Sequence, residues 1–368
     1  MKTSGIYPHE IKRVLIYRLG SLGDTVVVLP TLHLVARTFP NAERLMLTNL
    51  PVHAKAPAAS AIIGESGLVD GYLSYPVGTR SAATLAWLWL QIRRFRPQVL
   101  VYLKKPRDNK VVLRDQRFFR TCGIRKIIGL PLGDRATNLR VGPALWESEA
   151  SRLARSVNEL GAIDLNDPAA WDLRLTAEEL SRAEMALKPT GGRPLIACGP
   201  GTKMHAKDWG TANWSALMAT LAMKFPGHTV VLIGAREERE ACEHVAAAWQ
   251  GNSINLCGEL APRERAAVLR RAELFLGPDS GQMHLAAAAG IPCVIAFSAR
   301  TKPGIWFPHG KGHRVLYRTL DCVGCKLETC IEQRKRCLTS ITVDDMLAAS
   351  LEAWREKHKP GEHIGIGD

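Results

Sequence analysis

Three short segments combine residue types that chemistry needs. The first is Gly20-Ser21-Leu22-Gly23-Asp24, directly after the apolar run Arg13–Tyr17 (RVLIY). Two glycines after a strand let the backbone come close to a ligand, and Asp24, at the start of the next helix, can take a proton from a substrate hydroxyl. An aspartate there is equally an ordinary helix cap. The second is Gly199-Pro200-Gly201-Thr202-Lys203 with Lys207, Asp208 and Trp209 behind it. Amides, a hydroxyl and two lysines ahead of a helix make an anion cradle, or else a loop of solvated lysines. The third is Gly277-Pro278-Asp279-Ser280-Gly281-Gln282-Met283-His284. Asp-Ser-Gly at a helix N-terminus offers free N–H groups and a hydroxyl to a phosphate. His284 falls one turn after Ser280 and serves either the same ligand or the core. Neither G-x-G-x-x-G nor Walker spacing occurs, so these loops predict neither a dinucleotide fingerprint nor a P-loop.

Two further groups carry chemistry. Glu237 and Glu238 follow the apolar run 229–233, where a carboxylate suits ribose hydroxyls; two acids in a first turn also complement a helix dipole. Cys322, Cys325, Cys330 and Cys337 are spaced C-x2-C-x4-C-x6-C. Four thiols at that spacing are a candidate zinc set, although only one C-x2-C knuckle is present where two are usual. Reduced or partly disulfide-linked thiols are the other reading.

The elements that must position these residues follow from the apolar pattern. Strand-like runs at 194–198, 229–233, 254–257, 274–276 and 293–297 alternate with helical patterns at 214–225, 237–249, 263–271 and 283–289. Such alternation predicts a parallel sheet with helices on both faces. The first half repeats it less cleanly, with strands at 13–17, 45–48 and 99–103 and helices at 25–39 and 82–94. The irregular stretch 165–194 reads as a linker, and 340–357 as a terminal helix. The expectation is an α/β protein of two Rossmann-like lobes, 1–175 and 190–342, with a terminal helix and tail at 343–368.

The 368 residues are 46% hydrophobic and 23% charged, which excludes a disordered chain, a collagen and a small disulfide-stapled domain. No uncharged apolar run approaches the ~18 residues of a membrane span. Residues 1–13 lack the apolar core of a secretory signal, so the cytoplasm is the expected compartment. The net charge of +14 is concentrated, because residues 80–140 hold 15 Lys and Arg against three Asp. An anionic partner follows: nucleic acid, an acidic membrane surface or a phosphorylated substrate. A solvated basic face is the plainer reading. Trp87 and Trp89, beside Arg93, Arg94 and Arg96, could rest on lipid headgroups; the expectation is that they lie in the core.

With these residues assembled, the chain resembles glycosyltransferase family 9, the ADP-heptose:lipopolysaccharide heptosyltransferases. The matching stretches are RVLIYRLGSLGDTVVVLPTLHLVARTFPNA, GPGTKMHAKDWGTANWSALM, VVLIGAREERE, LFLGPDSGQMHLAAAAGIPCVIAFSA with Trp306 and Pro308 beyond it, and the four-cysteine segment followed by ITVDDML. The resemblance implies a GT-B type fold, two Rossmann-like lobes with parallel sheets facing across a cleft, the acceptor on the first and the nucleotide sugar on the second. It implies an inverting, metal-independent transferase that moves a heptose or related sugar from ADP-heptose to a lipopolysaccharide-core or similar anionic acceptor. Carried over by position, Asp24 is the general base, Arg18 and Gly23 are acceptor-side contacts, and Thr202 and Lys207 meet the donor phosphates. Glu238 meets the ribose, while Asp279, Ser280, Gly281 and His284 form the donor pocket. No cofactor is implied for catalysis, a structural zinc at the four cysteines being the candidate metal. The basic first half then suits an acidic lipid acceptor and a peripheral seat on the inner face of the inner membrane, with no nucleic-acid partner. Residues 97–101 (PQVLV) depart from the family's usual aspartate before this strand. Two other readings are a GT-B-like sugar-nucleotide epimerase, which needs no acceptor, and a basic nucleic-acid-binding protein with a zinc knuckle, which would bind generic DNA in a salt-dependent way.

Overall fold

The structure, a computed structural model, describes residues 7–50, 57–105 and 108–359. The chain divides into two units. One runs to Glu179 and takes in Pro303–Trp306; the other holds Leu180–Lys302 and the chain from Phe307 onward.

The first unit is built on five parallel strands, β1 (Arg13–Tyr17), β2 (Glu43–Asn49), β3 (Gly71–Tyr75), β4 (Val99–Tyr102) and β5 (Lys126–Ile128), in the order β3-β2-β1-β4-β5. The central pair, β1 and β4, is buried on both faces apart from Arg13, as apolar runs in a parallel sheet must be. Its helices are α1 (Leu22–Val26), α2 (Leu29–Thr38), α3 (Ser60–Ile63), α4 (Ala82–Phe95), α5 (Asn109–Thr121) and α6 (Glu149–Ser156). Strand alternation sorts the sheet's two sides. Leu15, Tyr17, Leu100 and Tyr102 pack with Leu88 and Ile92 of α4 and Phe119 of α5, so α4 and α5 cover the same face. The helix expected over 25–39 is two helices, α1 and α2. Pro30 has no N–H to continue the ladder from α1, and its fixed φ suits the first turn of a new helix instead.

In the second unit α7 (Ala177–Leu187), whose first turn belongs to the first unit, leads to a six-stranded parallel sheet. Its strands are β6 (Leu195–Cys198), β7 (Thr229–Leu232), β8 (Ser253–Asn255), β9 (Ala272–Pro278), β10 (Cys293–Phe297) and β11 (Arg314–Tyr317). The spatial order is β11-β10-β9-β6-β7-β8. Helices α8 (Thr211–Lys224), α9 (Arg239–Ala247), α10 (Pro262–Leu269), α11 (Gly281–Ala288), α12 (Arg336–Thr339) and α13 (Val343–Lys357) complete it. The terminal helix α13 starts at a Thr342/Asp345 capping box and sends Met346, Ala353 and Trp354 into this unit's core.

Read from the far edge, the second sheet is 3-2-1-4-5-6 in order of its own strands, and the first is 3-2-1-4-5. In each, the connections leave in opposite directions from the central pair, β1/β4 and β6/β9. Such a switch point opens a crevice outside the strands' carboxyl ends, where ligands bind in open α/β sheets. Among the described residues no helix is long and apolar enough to cross a membrane.

Candidate functional site

At the first switch point the loop after β1 carries Arg18 and Gly20, then α1 with Gly23 and Asp24. Ser21 caps α1, and Asp24 closes the capping box. Its Oδ2 accepts the Ser21 N–H at 3.0 Å. The cap therefore uses one carboxylate oxygen. The other, Oδ1, faces Arg18 Nη2 at 3.7 Å, on a side chain one-third exposed (33%). A side chain at residue 20 would put its Cβ 2.2 Å from that of Asp24, which is why glycine stands there.

Arg18 is buried and held rigidly. Its Nη1 donates to Leu103 O at 2.7 Å, and its Nη2 and Nε donate to Asp24 O at 2.6 and 3.1 Å. Burial draws the guanidinium's pKa down, against the opposing charges of Asp24 and Glu149. Beneath it lies Glu149 of α6, fully buried, gripped at 2.7 and 2.9 Å by Arg152. Glu149 also stands 3.9 Å from Arg18 and 3.7 Å from Lys105. Burial pushes its carboxyl up, but the Arg152 hydrogen bonds and the charges of Lys105, Arg152 and Arg18 prevail and bring it to about 2. The Lys105 ammonium lies 4.8 Å over the Trp306 ring, on the short segment that joins this unit from far along the chain. Its neighbour Lys104 turns to the other side of the sheet and pairs with Asp115 at 2.7 Å.

At the second switch point the loop after β6 bears Gly201, Thr202 and a short helical turn, His205–Lys207. Lys207 Nζ stands 2.9 Å from Asp279 Oδ2, an ion pair without the alignment of a directed hydrogen bond. Asp279 and Ser280 end β9 and open α11, with Ser280 as N-cap. The Ser280 hydroxyl and the Gln282 side-chain carbonyl are shut off from solvent and make no hydrogen bond. The Ser280 hydroxyl, a donor at a helix N-terminus, is what an anionic ligand would satisfy, whereas the Gln282 carbonyl can only accept. His284 is buried in the first turn and a half of α11, close to His309. Burial, then the neighbouring His313 and His284, bring the His309 imidazole to about 2, so it is neutral. Glu238 accepts the Ala235 N–H at 2.8 Å, and its carboxyl occupies the space where a Cβ on residue 201 would come within 2.2 Å of Glu238 Cδ. The end of β7 is thus brought against the loop after β6.

Residues 121–336 match glycosyltransferase family 9 (heptosyltransferase). The chain belongs to that family. The glycosyltransferase is 26% identical to lipopolysaccharide heptosyltransferase 1 of Pseudomonas aeruginosa, over 87% of this chain and 88% of that one. Among solved structures it superposes on a family 9 glycosyl transferase from Veillonella parvula with a TM-score of 0.71 at 16% identity, covering 94% of this chain and 98% of the other. ADP-heptose lps heptosyltransferase II of E. coli gives a TM-score of 0.65 at 17% identity, covering 94% and 100%. These superpositions show the GT-B fold.

In the glycosyltransferase the sequence-predicted residues fall into two groups, one per unit. Arg18, Gly23 and Asp24 gather at the first switch point, with Thr202, Lys207, Glu238, Asp279, Ser280, Gly281 and His284 at the loops of the second. Sequence reasoning missed Glu149, Arg152 and Lys105 and gave Trp306 no role; the four come together only through the fold, and the single local sign is the Glu149/Arg152 spacing of three on one helix face. Cys322, Cys325, Cys330 and Cys337 are free thiols that line one small cavity of about 10 Å³ with Ala206, Ser298 and Arg336. Among the described residues no three His, Cys, Asp or Glu side chains are grouped to hold a metal ion. The cysteine segment braces the Lys207 turn: Ala206 N–H donates to Glu328 O at 3.0 Å, and Lys335 Nζ donates to Asp208 O at 2.9 Å. Trp87 and Trp89 correct an expectation, since both lie on the surface and not in the core.

Proposed function

We propose that this glycosyltransferase moves a heptose, or a related sugar, from ADP-heptose to a lipopolysaccharide-core or similar anionic acceptor, with inversion at the anomeric carbon. The observation that carries the donor reading is the start of α11, where the Ser280 hydroxyl, free to donate, is buried without a partner beside the Lys207–Asp279 pair. A diphosphate seated there would take the free amides of α11 and the Lys207 charge. Glu238, just past the second strand of this sheet, is placed for ribose hydroxyls. The names of the Pseudomonas and E. coli relatives, which specify lipopolysaccharide heptosyl transfer and, for one, ADP-heptose, agree with this donor and acceptor.

Asp24 is the general base. Its free oxygen takes the acceptor's hydroxyl proton as the hydroxyl oxygen bonds to the anomeric carbon. The bond from that carbon to the β-phosphate oxygen breaks on the opposite face, and its electron pair leaves with ADP. Lys207 and the α11 amides then oppose charge that grows only as the bond breaks, the kind of contact that speeds the chemical step. Arg18, buried and fixed by three hydrogen bonds, holds the Asp24 backbone on the acceptor side.

The deciding experiment is calorimetric titration of ADP and ADP-heptose into the wild type and Lys207→Ala without added metal. The expected result is micromolar binding weakened about tenfold or more, ~1.4 kcal/mol, in the variant. Binding of a UDP or GDP sugar in place of the ADP compounds would overturn the donor assignment. Turnover of the donor to an epimer without any acceptor would overturn transfer.

A further inference from the structure

We propose that the outer surface of the α4–α5 layer docks on an anionic lipid bilayer. Helix α4 reads AATLAWLWLQIRRF, apolar through three turns, yet Leu88 and Ile92 are its only buried residues. The side opposite them, at helical spacing, carries Ala83, Ala86, Trp87, Leu90 and Arg94. Trp87 is 45% exposed, Leu90 39% and Trp89 36%. A helix on a water-facing surface puts polar residues there. Trp89 is pinned: its Nε1 donates to Thr121 O at 3.1 Å, and the Arg93 guanidinium lies 5.3 Å from its ring centroid.

Helix α5 supplies the charge. Its solvent side bears Lys110, Leu113, Arg114, Arg117 and Arg120. Because α4 and α5 pack on the same sheet face, their exposed sides belong to one outer surface. That surface lacks acid to balance it. The one carboxylate within α5, Asp115, is buried and taken by Lys104 and Arg114, Asp108 caps the helix, and the sequence has no acidic residue from Arg80 through Lys105.

Exposed tryptophan and leucine rimmed by arginine and lysine is the composition that settles at the boundary of headgroups and acyl chains, and each cation near an anionic leaflet adds attraction. A second copy of this chain would bring the same positive charge against itself. Nucleic acid would take the cations and leave Leu90 and Leu113 in water. With no described helix able to span a bilayer, the association is peripheral.

The test is flotation of the full chain with phosphatidylcholine vesicles, with and without about 30% phosphatidylglycerol. The wild type should float with the anionic vesicles alone and be released by salt. Trp87→Ser/Leu90→Ser and, separately, Arg94→Glu should each weaken binding about tenfold or more, while ADP affinity and the melting midpoint stay at wild-type values. The proposal is overturned if the wild type ignores anionic vesicles, or if the variants bind as it does. A wild-type dimer that the double variant turns into monomer, or duplex-DNA binding that depends on the same residues, would also overturn it. The vesicles contain no glycolipid, so a failure here is distinct from a failure of the proposed transfer.

Discussion

Under the proposed mechanism Asp24 is a helix cap and a general base at once: Oδ2 holds the Ser21 N–H, and Oδ1 stays open beside Arg18. The two roles separate by substitution. Asn keeps an oxygen for the cap, so Asp24→Asn should lose less than about 1 kcal/mol of stability, while transfer drops about 100-fold or more. Thermal melts and single-turnover assays on the same preparation check this; transfer retained in Asp24→Asn would mean the side chain serves the fold alone. Glu149 gives a pH signature. Its folded pKa, about 2, lies below the ordinary 4.5, so its stabilisation is complete above about 4.5 and is lost as the pH falls through about 2. Glu149→Gln leaves three cations around an uncharged group and should cost roughly 3 kcal/mol at neutral pH. The gap from wild type should close as the pH falls toward 2 in denaturant titrations at fixed ionic strength. A gap independent of pH would mark a packing effect and not a charge effect.

Among the elements, the proposed donor side depends on how β7 meets the loop after β6. The Glu238 carboxyl fills the space beside Gly201, so Gly201→Ala must push it aside. The variant should lose the Ala235 cap, about 1 kcal/mol, and bind ADP about tenfold more weakly in the same titration. The elements were unequally legible. Five of the second unit's six strands, β6 to β10, stand out as short apolar runs between helical patterns, and the alternation itself yields the parallel sheet. β3 (GYLSY), β5 (KII) and β11 (RVLY) do not stand out, because they lie toward the sheet edges, are half-buried almost throughout and so carry little apolar periodicity. The break between α1 and α2 rests on one proline inside an otherwise helical run. Trp87 and Trp89 read as core because a buried helix and one that lies against lipid have the same composition; only the sheet's position tells which side is covered.

For the whole molecule, the loops at both switch points were legible before the fold was known, since glycine, hydroxyl and charge cluster there in sequence. The Arg18–Glu149–Arg152–Lys105 cluster was not, because its members come from the ends of β1 and β4 and from α6, and pattern within a window cannot pair them. A ligand that binds only the folded chain stabilises it by mass action. ADP at about 100 times its Kd should therefore add about 2.7 kcal/mol to the wild type's unfolding free energy, and at the same concentration about 1.4 kcal/mol or less to Lys207→Ala. Denaturant midpoints with and without ADP measure the difference; an equal gain in both proteins would place the nucleotide away from Lys207.

The segment Pro303–Trp306 belongs to the first unit although the chain has by then built most of the second. Its Pro303 and Ile305 carbonyls accept the N–H groups of Trp146 and Glu149, and its Trp306 ring packs with Val27, Ala150 and Trp171. On the ribosome, where domains form from the N-terminus as they emerge, the first unit is therefore finished late. Until residue 306 is out, the helix that carries Glu149 lacks a backbone partner and Lys105 lacks its ring, so a nascent chain stopped at Glu179 holds the sheet of this unit and all four charges of the cluster but not the carbonyls and ring that brace them.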